Sequence, residues 1–187
     1  MNITRISSAC AVFTAIFIAV PVMADMPQQI TQGFVDGIEV CLEASLRGVS
    51  VGNLPPEILN RVTKGDERAR FMVAGRNAQG PIWAVKTAPG NVLISEAADG
   101  DCEVAAFGPP VDKTLKQAQK AVLKREATFQ DAGDAPDDYT PIRYGLIREA
   151  DGTRVHVVLE GAEPGTVPGR FSRFSLLSAR LTRTVVK

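Results

Sequence analysis

The sequence is poor in the side chains from which metal and redox sites are built. Its 187 residues include one histidine, His156, and three cysteines, none of them in a C-x-x-C pair. No phosphate-binding glycine loop, dinucleotide fingerprint or pair of catalytic carboxylates is present either. A zinc or iron site lacks ligands, since two of the cysteines are predicted below to bond to each other. We therefore expect no metal and no cofactor.

The chain also lacks an excess of either charge. It carries 21 Lys and Arg residues against 21 Asp and Glu residues, and the two signs are interspersed. It therefore offers no electrostatic surface for nucleic acid or for an anionic membrane. The hydrophobic content of 45% is nevertheless enough for a core, and this length predicts one domain.

Residues 1–24 have the pattern of a secretory signal peptide. Arg5 provides a short basic region, an apolar run extends from Ala9 to Val20, and the run is followed by small residues ending at Ala24. The apolar run is too short for a spanning helix, which needs about 20 residues. Cys10 precedes most of this run, so it does not match a lipidation cysteine. We expect cleavage after Ala24, a periplasmic or secreted location, no stable membrane insertion afterwards, and residues 25–187 as a single domain.

Two cysteines, Cys41 and Cys102, remain in the predicted mature chain. In an oxidising compartment an even number of cysteines favours a disulfide. The alternative is a nucleophilic Cys102 activated by His156. The strand patterns place Cys102 on an apolar face and His156 on a charged one, so the disulfide is the preferred prediction.

The helices are predicted from apolar residues at steps of three and four. One such face begins at Ile30, includes Cys41 and ends at Arg47, where Gly48 is suited to terminate a helix. A short helix is predicted for the stretch EILNRV, and a longer one from Val111 to Phe129.

The strands are predicted from alternation and turn residues. The stretches PIWAVKT and NVLISEA precede a three-residue loop ending at Gly100, which places Glu96 opposite Cys102 in the next strand. Asp151-Gly152 predicts a two-residue hairpin turn in which opposite charges and apolar pairs both fall into register. The tail predicts a final strand along this hairpin, and the segment 65–80 is left open as a further strand.

The resulting order is helix, three strands, helix, three strands. Runs of antiparallel strands separated by helices indicate the α+β class, here an antiparallel sheet of two meanders with the helices packed on one face.

One pattern suggests an enzyme. The stretch GVSVG matches the G-x-S-x-G nucleophile elbow around Ser50, and an aspartate followed by His156 supplies the remaining triad residues in order. The candidate aspartates are Asp131, Asp134, Asp137 and Asp138. The elbow requires a preceding strand, whereas the residues before Ser50 have a helical pattern, so a helix-terminating glycine is the preferred interpretation.

Three weaker candidates have structural interpretations. The four aspartates have the oxygen ligands of a calcium site but not the spacing of a calcium loop, which favours a solvated acidic loop. A stripe of lysines on the second long helix is typical of a solvated face: Lys113, Lys116, Lys120 and Lys124. Trp83 is expected in the core of its strand rather than as an exposed binding residue.

The signal peptide, the leading helix with one cysteine and the stretch WAVKTAPGNVLI…DGDCEVAAFG with the second resemble small exported bacterial proteins of unknown function. That resemblance implies a periplasmic destination and carries over no functional residues. We expect a non-catalytic accessory or binding protein that acts through an envelope protein partner or a small ligand held against the sheet. The alternative is a small secreted serine hydrolase using Ser50 and His156.

Overall fold

The computed structural model describes residues 26–66, 69, 80–133, 142–166 and 173–186. The predicted signal peptide, residues 1–24, lies outside the described residues. So do Asp134, Asp137 and Asp138, and most of the 65–80 segment.

The described chain forms helices and strands in α+β order. The helices are α1 (Met26–Arg47), α2 (Pro56–Leu59) and α3 (Val111–Arg125). The strands are β1 (Val62–Lys64), β2 (Ile82–Val85), β3 (Val92–Glu96), β4 (Cys102–Phe107), β5 (Gln130–Gly133), β6 (Ile142–Ala150), β7 (Thr153–Ala162) and β8 (Leu176–Val185). A single 3₁₀ turn follows α1 at Val51–Asn53.

All eight strands belong to one antiparallel sheet with the order β1-β2-β3-β4-β8-β7-β6-β5. This corrects the predicted pair of three-stranded meanders. Strands β1 and β5 were not predicted. Helix α2 ends at Leu59, and α3 ends at Arg125 and not at Phe129, so the residues that follow each helix are free to form a short strand. The two groups of strands merge because β8 pairs with β4 on one side and with β7 on the other.

The hairpin registers are those predicted from the sequence. In the β3–β4 hairpin Glu96 lies opposite Cys102, and in the β6–β7 hairpin Leu146 lies opposite Val157. The tight β6–β7 turn is formed by Asp151 and Gly152, both with positive φ, at 55° and 68°. Two successive positive φ values match the right-handed twist of the flanking strands, which explains the Asp-Gly sequence.

The helices cover one face of the sheet. Helix α1 packs on β2, β3, β4 and β8, whereas α3 packs mainly on β6 and β7. Close approach of α1 depends on Gly37, where a Cβ would lie 2.8 Å from Val104 Cγ1. The fully buried side chains Phe34, Ile38 and Leu115 therefore fill the layer between helices and sheet.

The other face of the sheet carries a small separate cluster of Ala69, Ile82 and Leu93. Ala69 thus places one residue of the 65–80 segment against the sheet. Of the helices that the structure describes, none is long and apolar enough to cross a membrane.

Candidate functional site

A disulfide joins α1 to the beginning of β4. Cys41 and Cys102 are bonded, with 5.6 Å between their Cα atoms, and both are buried. The predicted pairing is therefore confirmed. Cys102 is not a free thiol in this state, so the alternative of a Cys102–His156 dyad does not hold.

Ser50 and His156 lie on opposite sides of the sheet. Alternate residues of β7, Val155 and Val157, are buried beneath the helices, which directs His156 between them to the other face. Ser50 lies in the linker that follows α1, on the helix-covered side. The GVSVG stretch therefore does not build a nucleophile elbow with His156 as its base. It ends a helix instead, with Gly48 at φ 64°.

The acidic and lysine candidates that the structure describes lie on exposed surface. Asp131 is exposed in β5, and within the described ranges no three His, Cys, Asp or Glu residues gather to hold a metal. The four stripe lysines are all exposed on α3. A hydrogen bond to Asp112 at 2.9 Å, together with its charge, raises the pKa of Lys116. This stripe is a solvated face, as predicted.

Glu96 is a buried carboxylate that organises the chain after α1. One of its oxygens accepts the backbone N–H of Val51 at 2.7 Å, and the other accepts the indole N–H of Trp83 at 3.0 Å. Trp83 is half-buried and packs beside the core, close to the expected position. An acidic residue at a core-facing position of β3, after Val92 and Ile94, was the sequence signal for this role.

A polar cavity of about 290 Å³ lies where α1 ends above the β3–β4 turn. Its lining includes Ser45, Gly48, Ser50, Glu96, Ala98, Asp99 and Arg183. The disulfide holds its two walls together, because Cys41 lies one helical turn before Ser45 and Cys102 lies opposite Glu96.

Ser45 has an unsatisfied hydroxyl at this cavity. The residue is 4% exposed, and its Oγ atom is buried without a hydrogen-bond partner among the described residues. A buried hydroxyl without a partner costs about 1–3 kcal/mol, so such groups in a folded protein call for an explanation.

Arg183 forms another part of the cavity wall. Its guanidinium lies against Gly48, where a Cβ would come 3.0 Å from Cζ. It donates to Thr153 Oγ1 over a long 3.4 Å and remains exposed. The described lining therefore combines hydroxyl groups and the carboxylates of Glu96 and Asp99 with the accessible cation of Arg183.

No protein-family model matches this chain, and no curated protein and no solved structure matches it. The fold and the site define a single-disulfide α+β protein with a polar cavity at one end of its helix-covered sheet.

Proposed function

We propose that the protein is an exported, non-catalytic binding protein that holds a small ligand, or a short segment of a partner protein, in the cavity between α1 and the β3–β4 turn. The observation that carries this proposal is the polar cavity itself, whose wall includes the exposed residues Ser50 and Arg183. A binding role needs hydrogen-bonding groups and a preformed wall, and the disulfide supplies rigidity to that wall. The separation of Ser50 from His156 supports a function without acyl-transfer chemistry.

Binding is tested by thermal unfolding in the presence of a panel of free amino acids, sugars and short peptides. A ligand at one hundred times its Kd should stabilise the protein by about 2.7 kcal/mol. Ala98 is exposed at the mouth of the cavity, so Ala98→Trp should block binding while Ala98→Ser, the matched control, should retain it. A panel that stabilises neither the parent protein nor Ala98→Ser would contradict the proposal.

Export is tested separately by the intact mass of protein recovered from the cell envelope and alkylated without reduction. We expect a mass for residues 25–187 with no alkyl group added, because Cys10 is removed and the other cysteines are bonded. A mass that retains residues 1–24 would refute cleavage. Incubation with a fluorophosphonate probe should leave Ser50 unlabelled, and labelling there would instead revive the hydrolase hypothesis.

A further inference from the structure

Strand β8 extends beyond its neighbour β4. The first residue of β4, Cys102, pairs with Leu181, whereas β8 continues to pair with β7 until Val185 lies opposite Thr153. Within the part of the chain that the structure describes, the last residues of β8 therefore have a neighbouring strand on one side only. This end is accessible, since Val185 is 70% exposed.

The free side of β8 presents the backbone groups of Arg183 and Val185. The N–H of Val186 donates to the carbonyl of Gly152 at 2.8 Å, on the β7 side. Because successive residues of a strand direct their backbone groups to opposite sides, Thr184 also faces β7, whereas Arg183 and Val185 face away from it. Among the described residues, none hydrogen-bonds to the backbone N–H or C=O of Arg183 or Val185.

This free edge opens directly beside the cavity. Arg183 belongs to both, because its backbone lies on the edge and its side chain lines the cavity next to Gly48. A strand that paired with Arg183 and Val185 would direct alternate side chains toward the helix-covered face. One of those side chains would lie beside the cavity wall that Arg183 and Gly48 form.

The charge of Arg183 at the cavity mouth favours peptides with an acidic side chain. Arg183 forms no ion pair with a carboxylate of the described residues, and its long contact with Thr153 leaves the guanidinium accessible. The carboxylate of Asp99 instead accepts the N–H of Asp101 at 3.2 Å within the turn. That contact leaves the negative charge of Asp99 in place, so the accessible cation of the wall is Arg183, and a guanidinium pairs best with a carboxylate.

We propose that the protein binds an extended peptide that adds as a strand to the free edge of β8, with an acidic side chain paired to Arg183. This inference rests on the proposed function, since it names the ligand class of the same cavity. A second copy of the chain fits this edge less well. Two pairing residues supply little of the roughly 1,200 Å² that a stable interface buries, whereas strand addition with a side-chain pocket is a common mode of peptide binding.

The test begins with selection of binders from a displayed library of random decapeptides against the disulfide-bonded protein. Selected peptides are synthesised and their affinities are measured by fluorescence anisotropy. Val185→Pro removes an N–H that makes no ladder bond to β7, and Val185→Ala keeps that N–H as the matched control. We expect Val185→Pro to weaken binding about tenfold or more, because it leaves a peptide carbonyl unpaired. Val185→Ala should leave the affinity nearly unchanged.

Two further measurements make the outcome specific. The Arg183→Glu variant should no longer bind the acidic peptides, and selection against this variant should yield basic peptides instead. On peptide binding, the amide hydrogens of Arg183 and Val185 should exchange more slowly, while that of Thr184, already bonded to β7, should change little. Peptides that lose affinity in Ala98→Trp but not in Val185→Pro would overturn strand addition and leave the cavity-binding function standing. Recovery of no peptide would overturn the inference, and the solute panel would then decide the proposed function by itself.

Discussion

The hydroxyl of Thr31 on α1 lies 2.9 Å from the hydroxyl of Thr114 on α3, and the pair is buried. Twelve residues further along α1, Glu43 meets Arg125 at the other end of α3, with 3.0 Å between Oε1 and Nε. The two helices therefore run parallel, side by side, over the sheet. Their packing is fixed by a neutral contact near their N-terminal ends and by an ionic one near their C-terminal ends.

The threonine pair should show coupling in a double-mutant cycle. Thr31→Val or Thr114→Val alone leaves one buried hydroxyl unpaired, which we expect to cost about 1–3 kcal/mol of unfolding free energy. The double variant removes both polar groups, so its cost should be well below the sum of the two. Urea denaturation of the four proteins measures this, and strictly additive losses would show that the hydroxyls do not interact.

Glu43 should make stability dependent on acidic pH. Burial alone would raise its pKa, but hydrogen bonds from Arg125 and Arg47 outweigh burial and hold the pKa below the ordinary value of 4.5. The stabilisation from the ionised form is therefore present above that value and is lost as the pH falls through the lower pKa of the folded state. Glu43→Gln should cost about 1–2 kcal/mol at pH 7.

The same difference should shrink as the pH falls below the ordinary glutamate pKa, which chemical denaturation across the acidic range measures. Glu39 is the matched control, because its contact with Arg61 at 2.6 Å is largely exposed. Glu39→Gln should cost no more than about 1 kcal/mol at pH 7. A pH-independent loss in Glu43→Gln would indicate a packing defect instead of a lost ionic contact.

Glu96→Gln should destabilise the linker after α1. Both carboxylate oxygens accept hydrogen bonds from N–H donors, of Val51 and Trp83, and an amide would direct its own NH₂ group at one of them. We expect a loss of about 1–3 kcal/mol and a shift in tryptophan fluorescence, since Trp83 is the sole tryptophan of the sequence. Trp83→Phe removes the indole N–H, so the contact of Glu96 with Val51 can be measured by itself. If Glu96→Gln still lowers stability in that background, the Val51 contact is energetically significant.

Removal of the disulfide should weaken both the fold and the cavity. Cys41 and Cys102 are separated by 61 residues in sequence. In the chain-entropy model, closing such a span stabilises the protein by about 4 kcal/mol. The double variant Cys41→Ala and Cys102→Ala should lose stability of that order by urea denaturation, and the reduced parent protein should match it. Equal stability of the oxidised and reduced forms would contradict this.

The correct sequence-based predictions depended mostly on turn residues and on pairs of side chains across neighbouring strands. The β6–β7 hairpin was predicted correctly because Asp151 and Gly152 suit a turn with two positive φ values, and because one register pairs Glu149 with Arg154 and Arg143 with Glu160. The Glu96–Cys102 register followed in the same way from the glycine loop. These features depend on neighbours in sequence, so the sequence reveals them.

The strands at the sheet edges were missed for a physical reason. Residues Gln130–Gly133 are polar, small and without apolar alternation, and they pair as β5 because β6 offers its edge. Likewise, Val62–Lys64 is too short for any periodicity. The cavity was also missed, because it depends on where α1 ends above the β3–β4 turn and on how far β8 extends past β4. These are tertiary relationships with no local signal.

The place of β8 in the sheet has a consequence for how the chain acquires its structure. Strand β8 is the last along the described chain, yet it lies between β4 and β7. A chain that has emerged only as far as residue 175 would therefore expose two unpaired strand edges to other molecules, and such edges promote aggregation. The order of synthesis thus leaves the described sheet in two halves until β8 arrives, which gives chaperones that shield strand edges a defined interval in which to act.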